Sequence, residues 1–151
     1  MNTNDTISIL NDLIATTEDG KKGFAEAASD ATKPELKEVF QKRAAECGNA
    51  AIELQSLVKS IGGKPETTGT IAGAAHRGWV KVKSAVSDSN VAVLEEVERG
   101  EDHAKAVFAK ALKSDIPTPI RSVVQRQYEG TLQNHDRIRN LRNSYRAAAH
   151  A

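Results

Sequence analysis

Five side chains have the types that a carboxylate metal centre uses: Glu18, Glu46, Glu98, Glu101 and His135. Di-iron and di-manganese bundles take one Glu from each of two helices and a Glu-x-x-His pair from each of the other two. Carboxylate oxygens with an imidazole nitrogen suit iron or manganese. The same stretches also carry Lys21, Arg43, Gln127 and Thr131. A second chemistry therefore fits these positions. In it, Lys21 and Arg43 neutralise Glu18, Glu46, Glu98 and Glu101, while Gln127 and Thr131 satisfy the remaining donors and acceptors of a core polar network.

Spacing separates the two readings. Glu46 is followed three residues later by Asn49, where a ligand histidine is needed, and His135 is preceded by Leu132, where a glutamate is needed. Two cations aimed into one layer also repel a metal ion. The pattern favours a structural, non-enzymatic network, with iron or manganese handling, or oxidoreductase chemistry, as the alternative. Other catalytic signatures are missing from the sequence: there is no Gly-rich phosphate loop, no Gly-x-Ser-x-Gly elbow and no Cys-x-x-Cys. Cys47 is the single cysteine, so an internal disulfide is excluded, and its expected place is a small core position. His103 projects away from the apolar arc of its helix and reads as a surface residue, while His76 and His150 have no visible partner.

The elements that position these groups are helical. Apolar residues recur three and four apart as Ile7, Leu10, Ile14, Phe24 and Ala28, and again as Leu36, Phe40, Cys47, Leu54 and Leu57. A third stripe runs Leu94, Val97, Ala104, Phe108 and Ala111, and a fourth Ile120, Val123, Ile138, Leu141 and Tyr145. These stripes predict helices over about 5–31, 33–61, 89–113 and 119–146. Thr32 and Glu35 have capping-box spacing, with Pro34 in a first turn that tolerates it. Gly62 and Gly63 predict the end of the second helix. Thr118 is the expected N-cap of the fourth, ahead of Pro119. The stretch 62–88 is a long crossover, with a short helix expected near 71–86 and Trp79 as its anchor. The expected fold is one all-α domain over 1–151: a ferritin-like four-helix bundle of two antiparallel helical hairpins joined by that crossover.

At about 100° per residue, Glu101, Gln127, Thr131 and Arg43 fall near the centres of their arcs. Each lies roughly halfway along its own helix, with Thr17, Glu18 and Lys21 matching them on the first. Antiparallel helices bring their midpoints to one level, so these groups are expected to form a single polar layer between apolar ones.

Composition agrees with this architecture and excludes others. Aromatics are only 4% of 151 residues, too few for a sheet sandwich. A formal charge of +1 argues against a nucleic-acid partner. Arg137, Arg139, Arg142 and Arg146 crowd the last helix, where cations complement its C-terminal dipole. No apolar run approaches the roughly 20 residues of a membrane span, and the opening MNTNDTISIL lacks a basic region before an apolar one. A cytoplasmic location without membrane contact is expected. A homodimer is compatible with such bundles. The basic crossover around Trp79, with His76, Arg77, Lys81 and Lys83, offers a surface for a protein partner.

Three segments, HRGWVKVKSAV (76–86), EEVERGEDHAKAVFAKAL (95–112) and QRQYEGTLQNHDRIRNLR (125–142), carry a resemblance. The chain resembles a bacterial family of small ferritin-like four-helix-bundle proteins of unknown function, most sharply at Arg99–Asp102 and at His135–Asp136. The resemblance implies a ferritin-like fold and an association with stress responses. It implies no particular reaction.

Overall fold

A computed structural model describes residues 1–70, 73 and 89–149. These form four helices and no strand, as in a four-helix bundle: α1 (Thr3–Asp30), α2 (Pro34–Ser60), α3 (Ser89–Leu112) and α4 (Thr118–Ala149). The short helix expected over 71–86, its Trp79 anchor and the basic residues of the crossover lie outside the described residues.

Each helix begins and ends for a local reason. The Asn2 side chain accepts from the Asp5 N–H at 2.8 Å and caps α1, whose first turn holds the acidic Asp5. The capping box expected at Thr32 and Glu35 does not form. Lys33 occupies the N-cap of α2 with no side-chain hydrogen bond, and Pro34 begins the helix. Thr32 instead exchanges two hydrogen bonds with Asn90: its N–H donates to Asn90 Oδ1 at 2.9 Å, and Asn90 Nδ2 donates to Thr32 Oγ1 at 2.8 Å. A tertiary partner 58 positions away outcompetes the local cap. Helix α4 starts one residue before the expected site, with the Arg121 N–H donating to Pro117 O at 2.8 Å. Arg121 also donates to the Leu112 and Ser114 carbonyls, satisfying the end of α3.

The end of α2 is a Schellman motif. The Gly63 N–H donates to Val58 O, and the Gly62 N–H donates to Lys59 O. Gly62 holds φ at +83°, a left-handed conformation that a Cβ disfavours. Beyond it the chain returns along α1. Asn11 donates to Lys64 O and accepts from the Glu66 N–H, and Asp19 accepts from both the N–H and the hydroxyl of Thr70. Gly69 lies so close that a Cβ there would sit 2.2 Å from Asp19 Oδ1.

Packing divides the interior into two apolar clusters. One gathers Leu10, Leu13, Ile14, Leu54, Val58, Phe108, Ile120 and Val124. The other gathers Phe24, Leu36, Phe40, Val93, Leu94 and Ile138, with the Phe24 and Phe40 rings tilted at 6.1 Å. Helix α1 packs mainly on α2 and α3, and α3 on α4, while α2 and α4 approach each other little. No helix among the described residues is long and apolar enough to cross a membrane.

Replacing Gly62 with Ala forces a side chain into left-handed backbone, and we expect a loss of about 1–2 kcal/mol in unfolding free energy. Urea denaturation checks this, and an unchanged midpoint would show that the α2 terminus relaxes at no cost.

Candidate functional site

Between the two apolar clusters lie buried polar groups of three helices: Thr17 and Glu18 of α1, Glu98 and Glu101 of α3, and Gln127, Thr131, Asn134 and His135 of α4. From α2, Arg43 reaches into this level with only 13% of its side chain exposed. Its Nε donates to Glu101 Oε1 at 3.3 Å, and its Nη2 donates to Thr131 Oγ1 at 3.3 Å. Asn134 Nδ2 donates to the same Glu101 oxygen at 2.9 Å. Three helices thus converge on one carboxylate.

The remaining candidates have other partners. Lys21 pairs with Glu18 at 3.0 Å within α1. Glu46 is half exposed and stands 4.0 Å from Arg43. Glu98 is bound by Arg142 of α4. His135 Nε2 lies 2.5 Å from Asp102 Oδ1, and its Nδ1 lies 3.7 Å from Asp136. Gln127 donates to Glu53 Oε1 at 2.8 Å and to Ala50 O at 3.3 Å, so it serves α2 and not Glu101. The structure therefore joins Arg43, Glu101 and Thr131, leaves Glu46 half exposed beside the same Arg43, and gives Glu18, Glu98 and His135 separate partners. Among the described residues, no three His, Cys, Asp or Glu side chains gather closely enough to hold a metal ion.

Sequence reasoning missed Asn134, Glu53, Asp102 and Arg142. Asn134 left a signal, because it is a polar residue in the apolar stripe of α4, three positions after Thr131. Glu53 left none. The C-terminal arginines also do more than complement a dipole: Arg142 and Arg146 cross to Glu98 and Glu95 of α3. Arg139 instead pairs locally with Asp136.

Burial sets the electrostatics. It pushes the Glu101 pKa above the ordinary carboxylate value, against the pull of Arg43, Asn134 and His135. Burial also works against the Arg43 charge, but Cys47, Glu101 and Glu46 outweigh it and raise that pKa. The Cys47 thiol is pushed up to about 11, chiefly by burial. Burial opposes ionisation of Glu53 too, yet hydrogen bonds from Gln127 and Arg126 hold its pKa below the ordinary range. A thiol held protonated is a poor nucleophile at neutral pH.

Residues 5–114 match the model of a family described as a domain of unknown function, DUF2383. That span is most of the chain, which belongs to this family. It takes in α1, α2 and α3, and it stops short of α4, the helix that supplies Thr131 and Asn134. Comparison with curated proteins gives no match.

Two outcomes follow from these shifts. Folded Glu101 keeps its proton to higher pH than unfolded Glu101. From the ordinary value of 4.5 up to the raised folded value, the native state therefore binds more protons. Its contribution to stability must fall as pH rises through that window. Urea midpoints measured upward from pH 4.5 should show this slope in the native chain and a flatter one in Glu101→Gln. Equal slopes would remove Glu101 as the cause. For Cys47, a pKa of about 11 against the ordinary 9.0 leaves roughly 100-fold less thiolate at pH 8 than a free thiol has. Alkylation by iodoacetamide should be slower by at least that factor in the folded chain than in urea. Comparable rates would contradict the burial of this thiol.

Proposed function

Taking that membership as the premise, we propose that the protein is a non-enzymatic, ferritin-like helical scaffold whose polar layer fixes the register of its helices. The observation that carries this reading is the meeting of α2, α3 and α4 on one buried carboxylate, Glu101, with an apolar cluster on either side. A slip of one turn moves a helix by about 5.4 Å. Such a slip would separate Arg43 or Asn134 from Glu101 and leave a charge buried without a partner. An apolar layer imposes no such penalty, because one aliphatic contact replaces another.

Contacts at the helix ends support the ferritin-like arrangement. The Lys37 ammonium reaches Ala28 O, and Gly63 abuts Ile7, so α2 runs back along α1. Thr32 meets Asn90, which puts the start of α3 at the end of α1, away from the end of α2. Tyr145 donates to Glu35 at 2.6 Å, and Arg126 pairs with Glu53, so α4 runs antiparallel to α2. The iron or manganese alternative draws less support, since Lys21 and Arg43 are engaged with the carboxylates that would have to be ligands.

Arg43→Met alone leaves the Glu101 carboxylate buried without its cation, and should cost about 3–5 kcal/mol. Adding Glu101→Leu should recover most of that loss while loosening the register. Amide NMR spectra of the double variant should then show extra or broadened resonances. A double variant with one sharp set of resonances would sink the register role.

A further inference from the structure

Helix α2 has one long face that no other described element covers. Its core side is Leu36, Phe40, Cys47, Leu54 and Val58. One flank turns toward α1 and the chain after α2, where Lys37 meets Ala28 and Gln55 meets Glu66. The other turns toward α4, with Arg43 on Thr131 and Glu53 on Arg126. What remains is Glu38, Ala45, Asn49, Ile52, Ser56 and Lys59, all exposed and spaced by threes, fours and sevens, so that they share one face. Ile52 is 62% exposed, an unusual placement for a large apolar side chain in the middle of a helix. The described chain on either side of 74–88 lies at α1, with Thr70 and Gly73 against Asp19, and Asn90 against Thr32.

This face is complementary to itself. Along its centre Ala45, Asn49, Ile52 and Ser56 carry no charge, while Glu38 marks one end and Lys59 the other. Neither of these two charges has an ion-pair partner among the described residues. About 32 Å of helix separates them. A second copy laid antiparallel, with a two-fold axis passing between Gly48 and Asn49, sets Glu38 of each copy opposite Lys59 of the other. The same axis sets Ile52 of each copy opposite Ala45 of the other, so a large side chain faces a small one twice. Parallel pairing would instead oppose Glu38 to Glu38 and Lys59 to Lys59, and a slip of one turn would break both matches together. Lys42 and Glu46 stand at the edge of the face with opposite signs, and Glu46 already has Arg43 beside it.

We propose that this face of α2 is a homodimer interface, closed by a second copy of the chain packed antiparallel across Ala45 and Ile52. A closed two-fold pair uses the same patch on both subunits, which is what the matched ends and centre supply. One helix pair buries less than the roughly 1,200–2,000 Å² of a standard stable interface, so the association is reversible and rises with concentration. The interface does not depend on the register role of the polar layer, which lies on the opposite side of α2.

The test is sedimentation equilibrium of the full chain from micromolar to millimolar concentration at low salt. The mass should climb from that of one chain toward that of two and no further. Ile52→Lys, at an exposed position, should weaken association by about tenfold or more, since an isoleucine is no longer buried in either copy. Glu38→Lys and Lys59→Glu should each weaken self-association several-fold by opposing like charges, and mixing the two variants should restore it, because the mixed pair regains both matches. This mixing carries the test if Ile52→Lys fails to fold by circular dichroism. A single-chain mass at every concentration would overturn the proposal. So would a dimer indifferent to Ile52→Lys, or charge variants that associate no better mixed than alone.

Discussion

The contact between Arg43 and Glu101 is the constraint around which the rest of the bundle is organised. A carboxylate 3% exposed is tolerable only with a cation and further donors at hand. Supplying them requires α2, α3 and α4 to stand at one axial offset. The two apolar clusters then follow as the layers above and below. The end contacts, Thr32 with Asn90 and Tyr145 with Glu35, hold the same offset at one end of the bundle.

The pair also explains the quiet chemistry of its surroundings. Cys47 sits beside Arg43, which would lower a thiol pKa, yet burial dominates and keeps the sulfur protonated. Glu101 faces the same contest, and burial prevails over Arg43 there as well. The layer thus combines a thiol kept protonated with a carboxylate bonded to a guanidinium. Its cost is imperfect satisfaction. The unmatched oxygens of Glu101 and Gln127 occur where three helices are asked to serve one carboxylate and a short amide cannot serve both sides.

Family membership adds constraint at one point only. The matched span covers Arg43 and Glu101 and stops at 114, before Thr131 and Asn134. The ion pair thus lies within the family's shared region, and the helix that completes its hydrogen bonds lies beyond it.

Much of the helical character was legible from spacing, because a period of 3.6 residues ties each side chain to a face of its own helix. The amino-acid sequence alone determined that Glu101, Arg43, Gln127 and Thr131 point inward, and that Gly62 sits where α2 must stop. Which inward group meets which was a tertiary decision. Gln127 and Asn134 lie on one stripe two turns apart, so their surroundings look equivalent in sequence, yet one serves Glu53 and the other Glu101. Periodicity fixes direction around an axis, whereas a partner also depends on the axial offset between helices. That offset comes from packing between segments far apart in the chain. The same reason accounts for Thr32: its spacing to Glu35 satisfies a local cap, but only the folded bundle brings Asn90 near enough to take its hydrogen bonds instead.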